Sequence, residues 1–162
     1  MGVLHGVHDF LPRIRALGEG GHFVNTASMA GMVSGLGFSP YSASKFAVVT
    51  MSRDLAMHLK TARHRRDRAL SRWVRTRINE SGRSRSERSG PGRAPQPGRW
   101  GGEIAAHVAE RVQSGLDPSD VAARVLSAIR AGELYLFTHP EIRVAAEERF
   151  AAILAAMDKA GR

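Results

Sequence analysis

The sequence predicts an α/β layered fold on three observations. Apolar residues recur at helical spacing in five separate segments. Two short β-prone runs, residues 22–26 and 134–138, lie among them. The order is helix, strand, helix, a broken region, paired helical stretches, strand, helix, which is the pattern of helices layered on a sheet.

Val3, Leu4, Val7, Phe10, Leu11 and Ile14 fall on one helical face, so residues 3–17 read as an amphipathic helix. Pro12 is awkward in a helix interior and is expected to kink or end it. Gly18, Gly20 and Gly21 make a stop and a turn. His22 to Thr26 reads as a strand. Residues 27–40 form a loop of small residues containing Gly31, Gly35, Gly37 and Pro40. The next helix starts near Ser39 to Tyr41, with Ser39 as N-cap and Pro40 in the first turn. Its apolar side continues through Phe46, Val49, Leu55 and Leu59.

From Thr61 to about Trp100 periodicity fails, and Arg, Ser, Gly and Pro dominate. Composition alone reads as exposed or disordered chain. Periodicity returns at Ile104, Val108 and Val112. Asp117-Pro118-Ser119-Asp120 signals a helix start, and Gly132 ends that helix. Leu134 to Thr138 reads as the second strand, and residues 140–158 as a last amphipathic helix.

The chain of 162 residues is 43% hydrophobic, which suffices for one domain with a core. It has no cysteine, hence no disulfide framework and no thiolate metal site. The histidines show no metal-ligand spacing, and His139 reads as a surface loop residue. No apolar run is long enough to span a bilayer, and no signal-peptide pattern opens the sequence. The expectation is a cytoplasmic protein with no membrane role.

The net charge of +9 is local. Residues 60–99 hold thirteen of the 24 Lys and Arg residues and three of the 15 acids, so the remainder is near neutral. Taken at face value, such a cluster binds phosphate in a salt-sensitive way. Trp73 and Trp100 are isolated, so no aromatic interleaving supports base stacking. Nucleic acid is therefore not the expected partner, and filter binding across salt would test this.

Tyr41 and Lys45, four residues apart, stack on one helix face. A nearby ammonium favours a phenolate, which suits a phenol to proton transfer. The residues between them, Ser42, Ala43 and Ser44, are small, so a flat ring system could approach the helix. Upstream, the strand ends in Asn25, Thr26, Ala27 and Ser28, and Gly31 follows. This stretch, Phe23 to Lys45, resembles the catalytic core of the short-chain dehydrogenases/reductases, a family of NAD(P)-dependent oxidoreductases.

The resemblance implies a partial doubly wound Rossmann-type fold lacking its first strands. It implies that residues 1–60 are the catalytic half, that 61–103 is a disrupted segment, and that 104–162 is the carboxy-terminal helix-strand-helix part. Tyr41 would be the general acid/base, Lys45 the residue that tunes it and binds the nicotinamide ribose, and Ser28 the anchor of the substrate oxygen. Trp73 to Thr76 resembles the segment after a Pro-Gly turn, where a Thr contacts the nicotinamide; Thr76 is the candidate, although the Pro-Gly is absent. NAD or NADP would be the cofactor and a small alcohol or carbonyl compound the substrate. A homo-oligomer is also implied.

Two departures accompany the resemblance. The family's Gly-rich turn, which holds the cofactor diphosphate after the first strand, is missing, because Gly18, Gly20 and Gly21 precede a strand. The chain is thus expected to begin inside a helix of the parent fold, after its cofactor-binding half and its active-site Asn. Further, five of the ten residues 63–72 are Arg where the family has a buried parallel strand. Burying them unpaired would cost several kcal/mol each. One hypothesis is a frame offset, with a base gained near residue 63 and lost near residue 73. An unambiguous gene sequence without that offset would sink it. A non-catalytic, pseudogene-like fragment is the alternative function.

Overall fold

The computed structural model describes residues 1–19, 21–35, 39–59, 65–70, 73–80, 90 and 101–161; for 65–70 and residue 101 only the backbone is described. The described residues fall into two compact units, one formed by Met1–Arg72 with Arg124–Arg162 and the other by Trp73–Ala123.

The first unit opens with helix α1, Gly2–Leu17. It runs through Pro12, so the proline neither ends it nor prevents the following turn and a half. Gly18 closes it in the left-handed region at φ 69°, its N–H donating to the Arg15 carbonyl. Strand β1 is His22–Thr26, as its β-prone composition predicts. A 3-10 turn over Met29–Gly31 follows, and then helix α2, Ser39–His58.

Strand β2, Arg65–Leu70, corrects the sequence expectation. It is the middle of a three-stranded sheet of order β1-β2-β3, parallel to both neighbours. Its register pairs Thr26 with Ala69 and Ala69 with Leu136. Ladder bonds are made by backbone groups that every non-proline residue carries, so tertiary pairing can override an unfavourable side-chain pattern. Residues 81–89 and 91–100 of the Arg-rich stretch lie outside the described residues.

Strand β3 keeps only Leu136–Phe137 of the five residues expected. A 3-10 turn, Pro140–Ile142, precedes the last helix, so that helix starts later than its periodicity indicates. The core of this unit includes Ala27, Met29, Leu55, Ala56, Leu59 and Ile142. Helix α1 and the last helix bury no residue, and large apolar side chains stay exposed on both.

In the second unit, Val74 and Leu116 form a parallel bridge, with hydrogen bonds of 2.9 and 3.0 Å to the flanking backbone. Gly115 permits it, since a Cβ there would lie 2.6 Å from the Trp73 carbonyl oxygen. Helix α3 is Gly101–Gln113, and Val112 is buried on it. Helix α4, Pro118–Ala131, carries the chain back into the first unit. Asp117 caps its start by accepting from the Ser119 N–H at 2.9 Å. At its end, Gly132 has φ 68°; its N–H bonds to Ile129 and that of Glu133 to Ala128, a Schellman closure. The last helix of the chain, α5, is Arg143–Ala160.

Candidate active site

Ser28, Tyr41 and Lys45 all belong to the first unit, Ser28 at the cap of the turn that follows β1 and the other two on α2. The frame that holds them is polar and buried. Asn25 Nδ2 donates to Ser52 Oγ at 2.9 Å, and Ser52 Oγ donates to the Val48 carbonyl at 2.8 Å. Both side chains are buried, so β1 is tied to α2 by groups that have no water to fall back on.

Beyond Thr26 the chain leaves the sheet. Ser28 is extended and caps the 3-10 turn, its Oγ accepting from the Ala30 N–H at 3.2 Å. One lone pair is used in this way, and the hydroxyl proton is left to donate. The turn lies directly on α2. Gly31 is buried, and a Cβ on it would meet the Lys45 carbonyl oxygen at 2.6 Å. Only a glycine allows this approach.

Lys45 points back along that contact. Its ammonium donates to the Thr26 carbonyl oxygen at 3.1 Å and lies 5.7 Å from the centroid of the Tyr41 ring, within cation–π range. Half-burial pushes the Lys45 ammonium below its ordinary pKa. Tyr41 is 40% exposed at the start of α2, where its ring can be reached from solvent. Ser44 does not share the site's chemistry, since its hydroxyl donates to the Tyr41 carbonyl at 2.7 Å. Ser42 Oγ is buried and has no hydrogen-bond partner among the described residues.

Thr76 lies in the second unit, exposed, after the Val74–Leu116 bridge. The interactions that sequence reasoning missed are the Thr26 carbonyl as partner of Lys45 and the Asn25–Ser52 tie. A polar Asn within a β-prone run was the signal for the second; the first involves a backbone oxygen and leaves no sequence signal. Among the described residues no group of His, Asp or Glu could hold a metal ion. No helix there is long and apolar enough to cross a membrane.

A family model described as short chain dehydrogenase matches residues 1–82. A C alpha-dehydrogenase of Sphingobium sp. strain SYK-6 is 27% identical over 153 residues, covering 94% of this chain and 49% of its own length. A 1-deoxy-11-beta-hydroxypentalenate dehydrogenase of Streptomyces exfoliatus is 28% identical over 141 residues, 87% of this chain and 43% of that protein. A short chain dehydrogenase/reductase from Burkholderia phymatum, solved in complex with NAD, superposes with a TM-score of 0.88 at 32% identity. That match covers 96% of this chain and 56% of the other. The chain thus spans about half the length of the curated relatives it matches.

Proposed function

The chain belongs to the short-chain dehydrogenases/reductases, and from that premise we propose that it carries the proton-transfer site of a nicotinamide-dependent oxidoreductase acting on an alcohol or carbonyl group. One observation supports the reading above the others. The Lys45 ammonium is fixed between the end of β1, at the Thr26 carbonyl, and the Tyr41 ring, on the strand end that also carries Ser28.

The proposed roles follow from the groups. Tyr41 exchanges a proton with the substrate oxygen. The Lys45 ammonium beside the ring is placed to stabilise negative charge that develops on the phenol oxygen as the proton moves. Half-burial strengthens its field, because less water screens it. Ser28 donates its hydroxyl proton to the same substrate oxygen and so orients it.

The donor set also fits a ribose. An ammonium and a phenol on one helix face present several donors and one acceptor to a pair of vicinal hydroxyls. Tyr41 and Lys45 would hold that part of NAD or NADP, and Thr76 is proposed as a nicotinamide contact on the resemblance of residues 73–76 alone. When bound, the nicotinamide supplies or accepts the hydride. Gly18, Gly20 and Gly21 precede strand β1 instead of following one, so they are not the family's diphosphate-binding turn. The proposal extends to a homo-oligomer, which would cover apolar side chains such as Phe150 and Leu154 that α5 leaves exposed.

Fluorescence titration with NADH and NADPH tests the reading. Saturable binding that weakens in Lys45→Ala is the expected result. Binding indifferent to Lys45 would count against it.

A further inference from the structure

Within the second unit, Thr76 sits in a closely built frame. On one side, the Trp73 carbonyl accepts from the Leu116 N–H at 3.0 Å, and the Arg75 N–H donates to the Leu116 carbonyl at 2.9 Å. These two bonds make the parallel bridge of Val74 and Leu116. The Arg75 guanidinium extends the clasp by pairing with the Asp117 carboxylate, which also accepts from Ser119 and caps α4. On the other side the chain turns, with the Glu80 N–H donating to the Arg77 carbonyl at 2.9 Å. Thr76, between the two, is exposed.

Gly115 decides how closely the bridged segments approach. A Cβ there would lie 2.6 Å from the Trp73 carbonyl oxygen, 2.7 Å from the Trp73 carbonyl carbon and 2.9 Å from the Val74 nitrogen. All three are backbone atoms, so a side chain at 115 is relieved only by moving segment 73–75 itself. Thr76 follows Arg75 directly, and such a shift reaches it with little chain in which to dissipate.

We propose that Gly115 is a positioning residue for cofactor binding. By letting the 115–117 backbone lie against Trp73 and Val74, it pre-sets Thr76 for the amide of the nicotinamide. The inference rests on the Thr76 contact proposed above and adds what holds that contact in place. A threonine hydroxyl can donate to an amide carbonyl or accept from an amide N–H. Such a bond weakens steeply with distance and angle, and a frame set before binding spares the cost of ordering it afterwards. The Arg75–Asp117 pair is a second clasp and a weaker one, since both side chains are largely open to water.

Calorimetric titration of NADH and of ADP-ribose into the full chain tests this. ADP-ribose lacks only the nicotinamide, so it reports on the rest of the site and on folding. Gly115→Ala should weaken NADH about fivefold and leave ADP-ribose unchanged. Thr76→Val should do the same, and the double variant should lose no more than either alone. Arg75→Met, which spares the bridge and the α4 cap, should weaken NADH in the same selective way by less than about threefold. Additive losses in the double variant would overturn the inference. So would equal losses of both ligands in Gly115→Ala with Arg75→Met without effect. A selective loss in Thr76→Val that Gly115→Ala does not reproduce would refute only this inference. No loss in Thr76→Val, or no saturable NADH binding by the wild type, would overturn it together with the reading it rests on. Selective losses in both variants, without Tyr41-dependent turnover of a carbonyl compound by NAD(P)H, would uphold the inference and refute only the oxidoreductase reading.

Discussion

Gly31 meets the backbone of α2 at Lys45, where an added Cβ would lie 2.6 Å from the Lys45 carbonyl oxygen and 2.9 Å from Val49 Cγ2. Backbone cannot swing aside as a side-chain tip can. Gly31→Ala should therefore push the turn off the helix, at a cost of about 1–3 kcal/mol. It should also weaken cofactor binding, since the displaced helix carries Tyr41 and Lys45. Urea unfolding and an NADH titration on the same variant check both effects.

The Asn25–Ser52 tie predicts a second stability loss. Ser52→Ala leaves the buried Asn25 amide without its acceptor, which should cost about 1–3 kcal/mol. Equilibrium denaturation measures it. Asn25→Ala in the same background should then add little, because the pair acts as one unit.

Lys45 gives the alkaline limb of stability a definite sign. In the unfolded chain its pKa is the ordinary 10.5, and burial depresses the folded value. Between the two, the unfolded state binds more protons, so this residue makes stability rise with pH through that window and level off above 10.5. Lys45→Met should remove that slope in urea midpoints taken across the alkaline range.

Asp117 governs the acid limb in the second unit. Hydrogen bonds from the Ser119 hydroxyl and N–H, then from Arg75, hold its carboxyl at about 2 against an ordinary 3.8. Its contribution is fully present above 3.8 and is lost as pH falls through about 2. Asp117→Ala should lower the Tm at neutral pH, and the difference from wild type should vanish below that range. Asp117→Asn, which retains the cap, should lose less.

Much of this was legible in the sequence, for local reasons. His22–Thr26 is a β-prone run between a glycine turn and a small-residue loop, and it forms that strand. The Asp117 cap and the Gly132 closure of α4 are determined by residues within one turn of each end. The spacing of Tyr41 and Lys45 places them on one face wherever the helix packs. Strand β2 was not legible, because Arg65, Arg66, Asp67 and Arg68 contradict the apolar pattern of a central parallel strand, and the neighbours that pair with it come from distant segments. The Lys45 partner was hidden because it is the Thr26 backbone oxygen.

The central claim is that Tyr41 moves the proton. The most direct test is the initial rate of NADH- and NADPH-linked carbonyl reduction by the wild-type chain and by Tyr41→Phe, which keeps the ring and removes the hydroxyl. The account predicts measurable wild-type turnover that falls by about 10²–10⁴-fold in the variant, with circular dichroism unchanged. Equal rates in the two proteins, or no turnover with either cofactor, would contradict it.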